Sequence, residues 1–286
     1  MPAPPARSAW LPGVLAALAE DLGPGDATTR AVLPEDVALE AVIEAREPLV
    51  VCGQAVVAAV FEALGGVEVQ PAVADGARVD AGAVLARLAG SAWSLLAGER
   101  TALNLLGRLC GVATTTRRFV DAVAGTGVAI VDTRKTLPGW RVLEKYAVAV
   151  GGGVNHRAGL YDALLVKDNH VAAAGGVRAA VSAARAGAPP HLWLQVEVES
   201  EAQAEEALAA GADALLLDNR SAPELAALAK RLRERTLLEA SGGVTLANVR
   251  AVAETGVHRI SIGALTHSAA HADVALEVTG RGRGRA

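Results

Sequence analysis

The chain has 286 residues, of which 52% are hydrophobic and only 3% aromatic. Its core is therefore built from small aliphatic side chains and suffices for one large α/β domain or two domains. Lys plus Arg number 27 and Asp plus Glu number 31, a net charge of −4, which excludes the basic footprint of a nucleic-acid-binding protein.

The cysteine usage and the hydropathy of the chain indicate a cytoplasmic protein. Cys52 and Cys110 lie in apolar surroundings, which argues against a disulfide framework and fits a reducing compartment. The N-terminal residues lack the uninterrupted apolar core of a signal peptide. No run of about 18 apolar residues is free of charges and turn signals, so we expect no membrane span.

The first ninety residues predict helices and strands in alternation. Residues 11–22 have the pattern of a short helix that ends in a turn rich in Gly and Pro. Residues 36–47 and 67–90 show the alternation of β-strands, and residues 54–64 between them are helical in pattern. This part of the chain therefore predicts an α+β domain.

Residues 91–124 predict a long helix, because Leu side chains recur at helical spacing. We expect Gly107 and Gly111 to bend or interrupt it. At the far end of the chain, Arg281, Arg283 and Arg285 alternate with glycines and predict a disordered tail.

After residue 127, short apolar runs alternate with Ala-rich helical stretches. The runs are Val128–Val131, Ala163–Val166, Leu192–Val198, Ala214–Leu217, Thr236–Leu238 and Arg259–Ile262. Continuous apolar strands between helices predict a parallel sheet that is covered on both faces. Six such units without a Gly-x-Gly-x-x-Gly turn after the first favour an α/β barrel over a Rossmann sheet.

Charged residues follow these runs, at strand ends that a barrel brings to one rim. Strands that simply end in polar turns would carry Ser, Asn and Gly. Instead, the ends include the following residues: Arg134, Lys135, Lys167, Glu197 and Asp218. Holding several cations together costs several kcal/mol for each unpaired ion, and an anionic ligand offsets that cost.

Two further strand ends predict phosphate sites. Ser241-Gly-Gly243 and Gly263-Ala-Leu265 each follow a strand and precede a helical stretch. Glycines allow the backbone to approach a ligand closely, and the N–H groups at a helix start bind anions. Phosphate sites in barrels commonly occupy the last two strand–helix loops, where these segments lie.

The glycine-rich stretch Gly151–Arg157 ends in a histidine and an arginine, just before the second strand. The segment alone could be a flexible hinge. Because an arginine fork matches a carboxylate and lysine acts as a point charge, one group of residues predicts a ligand with two carboxylates plus phosphates. The group comprises Arg134, Lys135, Arg157 and Lys167.

Several motifs together resemble the quinolinate phosphoribosyltransferase family over nearly the whole chain. They are Glu20-Asp-Leu-Gly-Pro-Gly-Asp-Ala-Thr-Thr29, Glu99-Arg-Thr-Ala-Leu-Asn104, Asp132-Thr-Arg-Lys-Thr-Leu-Pro-Gly139, Lys145-Tyr-Ala, Gly151-Gly-Gly-Val-Asn-His-Arg157, Lys167-Asp-Asn-His170, Val196-Glu-Val198, Leu217-Asp-Asn219 and Glu239-Ala-Ser-Gly-Gly243. Trp140, where a smaller aliphatic residue is often found, and the Arg-Gly tail depart from the pattern without touching a motif residue.

The resemblance implies an α/β fold with an N-terminal α+β open sandwich (residues 1–110) and a C-terminal six- or seven-stranded α/β barrel (residues 111–269), with residues 270–286 as a segment that returns to the first domain. It implies a homodimer, or a larger assembly, in which the sandwich domain of one subunit covers the barrel mouth of the other. The residue matching the family's shared arginine, Arg100, would then reach the neighbouring site.

The resemblance also implies the roles of the site residues. The residues implied to hold the pyridine dicarboxylate quinolinate are Arg134, His156, Arg157 and Lys167. Those implied to face phosphoribosyl pyrophosphate and its Mg²⁺ are Lys135, Glu197 and Asp218, and those implied to hold phosphate are Ser241, Gly242, Gly263 and His267. Glu197 and Asp218 are the candidate metal ligands, Lys135 and Lys167 the candidate proton donors, and the choice within each pair stays open.

Three alternatives remain open at the level of the residues. A Schiff-base aldolase would use Lys135 or Lys167 as the nucleophile, although the many arginines argue against it. A phosphate-ligand sensor would bind without turnover. A paralogue of the same family from a molybdenum operon would share related motifs.

Overall fold

The computed structural model describes residues 2–282, and the chain divides into two compact units. The first unit comprises Met1–Arg117, Thr136–Gly152 and Leu265–Ala286. The second unit comprises Arg118–Lys135 and Gly153–Ala264. Within residues 2–282, no helix is both long enough and apolar enough to cross a membrane.

Helices and strands occur along the whole of the described chain. After a 3-10 helix at Arg7–Ala9, the first part forms α1 Leu11–Leu22, α2 Ala27–Val32, β1 Ala38–Ala45, β2 Leu49–Val50, α3 Gln54–Leu64, β3 Val67–Pro71, β4 Arg78–Val79, β5 Val84–Ser91 and α4 Ala92–Ala122. The rest forms β6 Ala129–Val131, α5 Arg141–Val150, β7 Leu164–Val166, α6 Asp168–Ala174, α7 Val177–Gly187, β8 Leu194–Val198, α8 Glu201–Ala209, β9 Ala214–Asp218, α9 Ala222–Leu232, β10 Leu237–Ser241, α10 Val249–Ala253, β11 Arg259–Ser261, α11 Ala264–His267 and β12 Val274–Arg281.

The first unit contains a four-stranded antiparallel sheet with the order β12-β1-β5-β3, and β2 pairs separately with β4. Strand β12 joins the sheet by pairing with β1, in a register that sets Leu276 opposite Ile43. Arg281, predicted to lie in a disordered tail, is instead the last residue of β12 and pairs with Leu39. Arg283 and Arg285 lie outside the described residues.

Helix α4 is continuous over 31 residues, so the expectation of an interruption at its glycines was wrong. These glycines leave room for the segment that precedes β12. A Cβ atom on Gly111 would lie 1.9 Å from the carbonyl oxygen of Ala270, and one on Gly107 would lie 2.1 Å from the ring of His271. Glycine is present here because the two backbones approach closely.

The second unit is built on six parallel strands in the order β6-β11-β10-β9-β8-β7. From β7 to β11, each strand neighbours the next along the chain, and the first strand, β6, neighbours the last, β11, which is the strand order of a barrel. Strands β6 and β7 are the edges, and Val154 bridges to Val131 beside β6. The predicted α/β class is confirmed, with six parallel strands in the described residues.

The six strands are those that the apolar runs predicted, with small shifts at their ends. In β9, the four residues from Ala214 to Leu217 are all buried, as expected for a strand covered on both faces. Strand β10 begins at Leu237 and continues to Ser241, beyond the predicted end at Leu238. It therefore carries the buried carboxylate of Glu239 inside the sheet.

Cys52 and Cys110 are free thiols in the buried core of the first unit. The Cys52 amide donates to the Cys110 sulfur at 3.3 Å. Burial raises the pKa of the Cys110 thiol to about 12. Both thiols are therefore protonated and serve as small apolar side chains.

A buried ion pair joins three segments of the first unit. The Arg108 guanidinium donates to Glu144 at 2.6 and 2.9 Å, and the Glu144 carboxylate is fully buried. Glu144 also accepts from the Leu137 amide at 3.1 Å, and Arg108 donates to the carbonyl oxygens of Thr266 and Ala269. The ion pair therefore links α4 to the segment after Lys135 and to the segment after α11.

Replacing Arg108 by Met should lower the free energy of unfolding by about 3 kcal/mol, because the buried Glu144 carboxylate loses its counter-ion. The matched control is Arg231→Met. It removes an exposed pair with Glu201 and should change that free energy by less than about 1 kcal/mol. Urea unfolding of both variants measures the two values. Equal losses of unfolding free energy would show that the buried Arg108–Glu144 pair contributes no more to stability than the exposed pair.

Candidate functional site

Polar side chains lie on one face of the parallel sheet near its carboxyl edge. Glu197 of β8 aligns with Leu216 of β9, so Asp218, two residues further along, lies on the same face as Glu197. Ser241 of β10 aligns directly with Asp218. Three of the predicted site residues therefore share this face.

Arg134 and Arg157 place two positive charges near each other. Arg134 follows β6, and Arg157 follows the segment that bridges to β6. Burial lowers the pKa of the Arg157 guanidinium, the neighbouring charge of Arg134 lowers it further, and Asp162 opposes both. The arrangement suits an anion, because a negative charge between the two guanidiniums relieves their repulsion.

The Arg157 guanidinium is held by the loop that follows it. Its Nη1 donates to the carbonyl oxygen of Ala163 at 3.1 Å. Asp162 accepts from the amides of Ala158 and Gly159 at 2.6 and 2.9 Å. The loop is therefore closed by its own aspartate, which also brings a negative charge towards Arg157.

Lys167 lies at the end of β7 and pairs with Glu197, with 3.3 Å between Nζ and Oε2. The Lys167 amide donates to Nδ1 of His170 at 3.0 Å, so His170 caps the start of α6. Lys135 is exposed, and its amide donates to the Thr133 hydroxyl at 3.0 Å. Both lysines are accessible to a ligand at this edge of the sheet.

The loop after β10 passes close to the end of β9. Gly242 has a φ of +89°, and a Cβ atom there would lie 2.1 Å from Oδ1 of Asn219, so the position requires glycine. The expected helix start is absent, because α10 begins only at Val249. Gly263, in contrast, immediately precedes α11, as predicted.

A buried polar network, of which the sequence-based site included only His156, lies on the same face below the edge. We call it the Glu239 network; its members are Glu239, Arg259, Gln195 and His156. Arg259 donates to Glu239, and the Gln195 amide donates to the same oxygen at 3.0 Å. Nε2 of His156 lies 3.0 Å from Oε1 of Gln195 and 3.6 Å from the Glu239 carboxylate.

The Glu239 carboxylate is ionised although no part of it is exposed. Burial alone would raise its pKa. The nearby polar Nε2 of His156, the charge of Arg259 and the hydrogen bond from Gln195 outweigh that effect and hold the pKa at about 2. Below the network, the Arg259 guanidinium stacks 4.7 Å from the centre of the Trp193 ring, so this cation has apolar as well as ionic partners.

Polar residues at inward-facing positions of otherwise apolar strands could have revealed the network. Gln195 stands two residues before Glu197, and Glu239 stands two residues before Ser241. Side chains two apart on a strand share a face. Asp132 also escaped the sequence-based site, although its buried carboxylate accepts from the His156 amide at 2.8 Å.

Arg100 and His267 belong to the first unit. Arg100 lies on α4 with a side chain that is 64% exposed. His267 is exposed at the end of α11, where its Nδ1 lies 2.6 Å from the Ser268 hydroxyl. Both are accessible to a ligand or a second subunit.

The carboxylates at the sheet edge fit a loosely held Mg²⁺. Among residues 2–282, no three His, Cys, Asp or Glu side chains form a ready-made metal site. Mg²⁺ does not require one, because it usually takes one or two carboxylates together with substrate phosphate oxygens and water. Glu197 and Asp218 supply two carboxylates of the preferred oxygen type on one face.

The fold and this edge define an α/β barrel-type protein with a site for an anionic ligand. Its sequence matches the family models described as quinolinate phosphoribosyl transferase, N-terminal domain, over residues 26–110 and C-terminal domain over residues 112–277. The chain belongs to the quinolinate phosphoribosyltransferase family.

Individual relatives are similar in sequence to this chain over most of its length. A nicotinate-nucleotide pyrophosphorylase (carboxylating) from Mycobacterium leprae is 46% identical over 92% of this chain and 94% of the relative. A quinolinate phosphoribosyltransferase (decarboxylating) from Nicotiana tabacum is 37% identical over 96% of this chain and 84% of the relative. The solved nicotinate-nucleotide pyrophosphorylase from Francisella tularensis is 36% identical, with a TM-score of 0.92 over 96% of this chain and 97% of that one.

The contribution of Glu239 to stability should depend on pH. Its folded-state pKa of about 2 lies below the ordinary value of 4.5. The ionised carboxylate therefore stabilises the fold by about 3 kcal/mol above pH 4.5, and this is lost as the pH falls towards 2. Urea unfolding should show the gap between the wild type and Glu239→Gln narrowing by about 2 kcal/mol from pH 6 to pH 3. A gap that does not change with pH would contradict the charged state.

Proposed function

We propose that the protein is a quinolinate phosphoribosyltransferase, which converts quinolinate and phosphoribosyl pyrophosphate to nicotinate mononucleotide, pyrophosphate and CO₂ in NAD biosynthesis. The observation that carries the proposal is the pair of neighbouring guanidiniums, Arg134 and Arg157, in a chain of this family. Two arginine forks suit a ligand with two adjacent carboxylates, which quinolinate has.

In the proposed complex, Arg134, Arg157 and Lys167 bind the dicarboxylate at the sheet edge. Ser241, Gly242, Gly263 and His267 bind phosphate, and Lys135 faces the pyrophosphate. The flexible ammonium groups suit phosphate as point charges, whereas the arginines hold a planar carboxylate in one orientation. The ring nitrogen of quinolinate is thereby directed at C1 of the ribose.

The transfer forms a bond between the pyridine nitrogen and ribose C1 while the bond from C1 to the pyrophosphate oxygen breaks. Positive charge develops on the ribose, as in glycosyl transfer. In the proposal, Glu197 and Asp218 hold either the ribose hydroxyls or Mg²⁺. When bound, Mg²⁺ neutralises charge on the leaving pyrophosphate.

Loss of CO₂ follows from the charge on the new quaternary nitrogen. The electron pair of the broken C–C bond stays on ring carbon 2, next to that nitrogen, and a proton then binds there. Lys135 or Lys167 supplies the proton, since both are exposed at this edge. The site must exclude water from the departing carboxylate, because a less solvated carboxylate is lost more readily.

The proposal extends to the assembly and location. The working enzyme is a cytoplasmic homodimer in which Arg100 of one subunit completes the site of the other. The exposure of Arg100 on α4 is consistent with such a role. Mixing an Arg100→Ala subunit with a barrel-site variant should restore activity if the site is shared.

Turnover tests the reaction directly. Purified protein with quinolinate, phosphoribosyl pyrophosphate and Mg²⁺ should form nicotinate mononucleotide and release one CO₂ for each product molecule. Nicotinate in place of quinolinate is the control and should give no product, since it lacks the second carboxylate. A folded protein that turns over neither substrate would refute the proposed function.

Arg134→Ala should mainly weaken quinolinate binding, by about 2–5 kcal/mol, because a carboxylate in the site is left unpaired. The KM for quinolinate should rise far more than the KM for phosphoribosyl pyrophosphate. Arg178→Ala, on the exposed start of α7, is the matched control and should change neither constant. An unchanged KM and kcat in Arg134→Ala would remove this arginine from the site.

A further inference from the structure

His156 has both ring nitrogens engaged by the protein itself. Nδ1 accepts from the backbone amide of Arg157 at 2.7 Å, and Nε2 lies 3.0 Å from the side-chain oxygen of Gln195. The His156 side chain is only 10% exposed. These contacts are those of a residue that supports its neighbour.

The tautomer of His156 follows from its partners. A backbone N–H can only donate, so Nδ1 carries no proton. The proton of the neutral ring is therefore on Nε2, where it is donated to Oε1 of Gln195. A histidine in this state has already used its one N–H group within the protein.

The charge of Glu239 sets the direction of every hydrogen bond in the network. An ionised carboxylate only accepts, so Gln195 must present its NH₂ group to Glu239. Its oxygen then faces His156 and accepts from Nε2. Arg259 donates to Glu239 and stabilises that charge.

We propose that His156 is a positioning residue for Arg157 and that Glu239, acting through Gln195, sets the tautomer that this requires. Arg157 is then held at two points, its amide by His156 and its guanidinium by the carbonyl of Ala163. This replaces the expectation that the His156 ring itself binds the dicarboxylate. The kinetic part rests on the function proposed above.

Two substitutions of His156 distinguish the two ring nitrogens. Asn places an oxygen near the position of Nδ1 and can still accept from the Arg157 amide, whereas Gln reaches the position of Nε2. His156→Asn should keep the KM for quinolinate within about 3-fold of the wild type, and His156→Gln should raise it about 10-fold. The KM for phosphoribosyl pyrophosphate should change little in both.

The opposite order would overturn the proposal. If His156→Asn loses quinolinate affinity as much as His156→Gln, or more, Nδ1 is not the functional nitrogen. His191→Asn, at an exposed histidine before β8, is the matched control and should match the wild type. Circular dichroism of each variant confirms that the fold is retained.

The tautomer is measured without any substrate. In protein labelled with ¹⁵N-histidine, long-range proton–nitrogen spectra should show Nδ1 of His156 unprotonated and Nε2 protonated. Glu239→Gln should mix the two tautomers, because a neutral amide at this position no longer orients Gln195. A protonated Nδ1 in the wild type overturns the proposal, even if Glu239→Gln fails to fold. Absence of quinolinate turnover by the wild type refutes the proposed function and leaves the tautomer result intact.

Discussion

The structure of the site depends on one buried negative charge, that of Glu239. A carboxylate inside a parallel sheet loses its water, and the cost reaches several kcal/mol unless nearby donors replace it. Here Arg259 and Gln195 are those donors, and His156 contacts the oxygen of Gln195. These residues come from the strands β11 and β8 and from the segment after α5, so this arrangement requires those parts of the second unit to be in register.

The two neighbouring arginines of the site, Arg134 and Arg157, suit an anionic ligand. Arg134 and Arg157 lie close enough for the charge of one to lower the pKa of the other, an arrangement that costs free energy without a ligand. The charge of Glu239 is paired with Arg259. In the proposed function, a dicarboxylate bound by the two arginines would offset their repulsion.

Much of the fold was predictable, because the signals are local. Helices α1 and α3 begin and end where the hydrophobic pattern placed them, and all six parallel strands follow from apolar runs. The sharing of one sheet face by Glu197 and Asp218 follows from the rule that parallel strands end at one edge. The Glu239 network was not predicted from the sequence. Its hydrogen bonds join residues up to 64 positions apart, and they depend on a strand register that no single segment encodes. The uninterrupted α4 likewise depends on a distant segment passing over its glycines.

The two kinds of cation in the site differ in how firmly they are held, and this difference matches what each would bind. Arg157 is held through its amide and its guanidinium, so its planar fork has a set direction before a ligand arrives, which suits a rigid aromatic dicarboxylate. Lys167 is about half exposed and has a single ion pair with Glu197. In the proposed reaction, negative charge develops on the leaving pyrophosphate and then on a ring carbon. A flexible lysine side chain can adjust to such a change more readily than a guanidinium held at two points. We therefore assign orientation to the arginines and charge compensation to the lysines within this proposal.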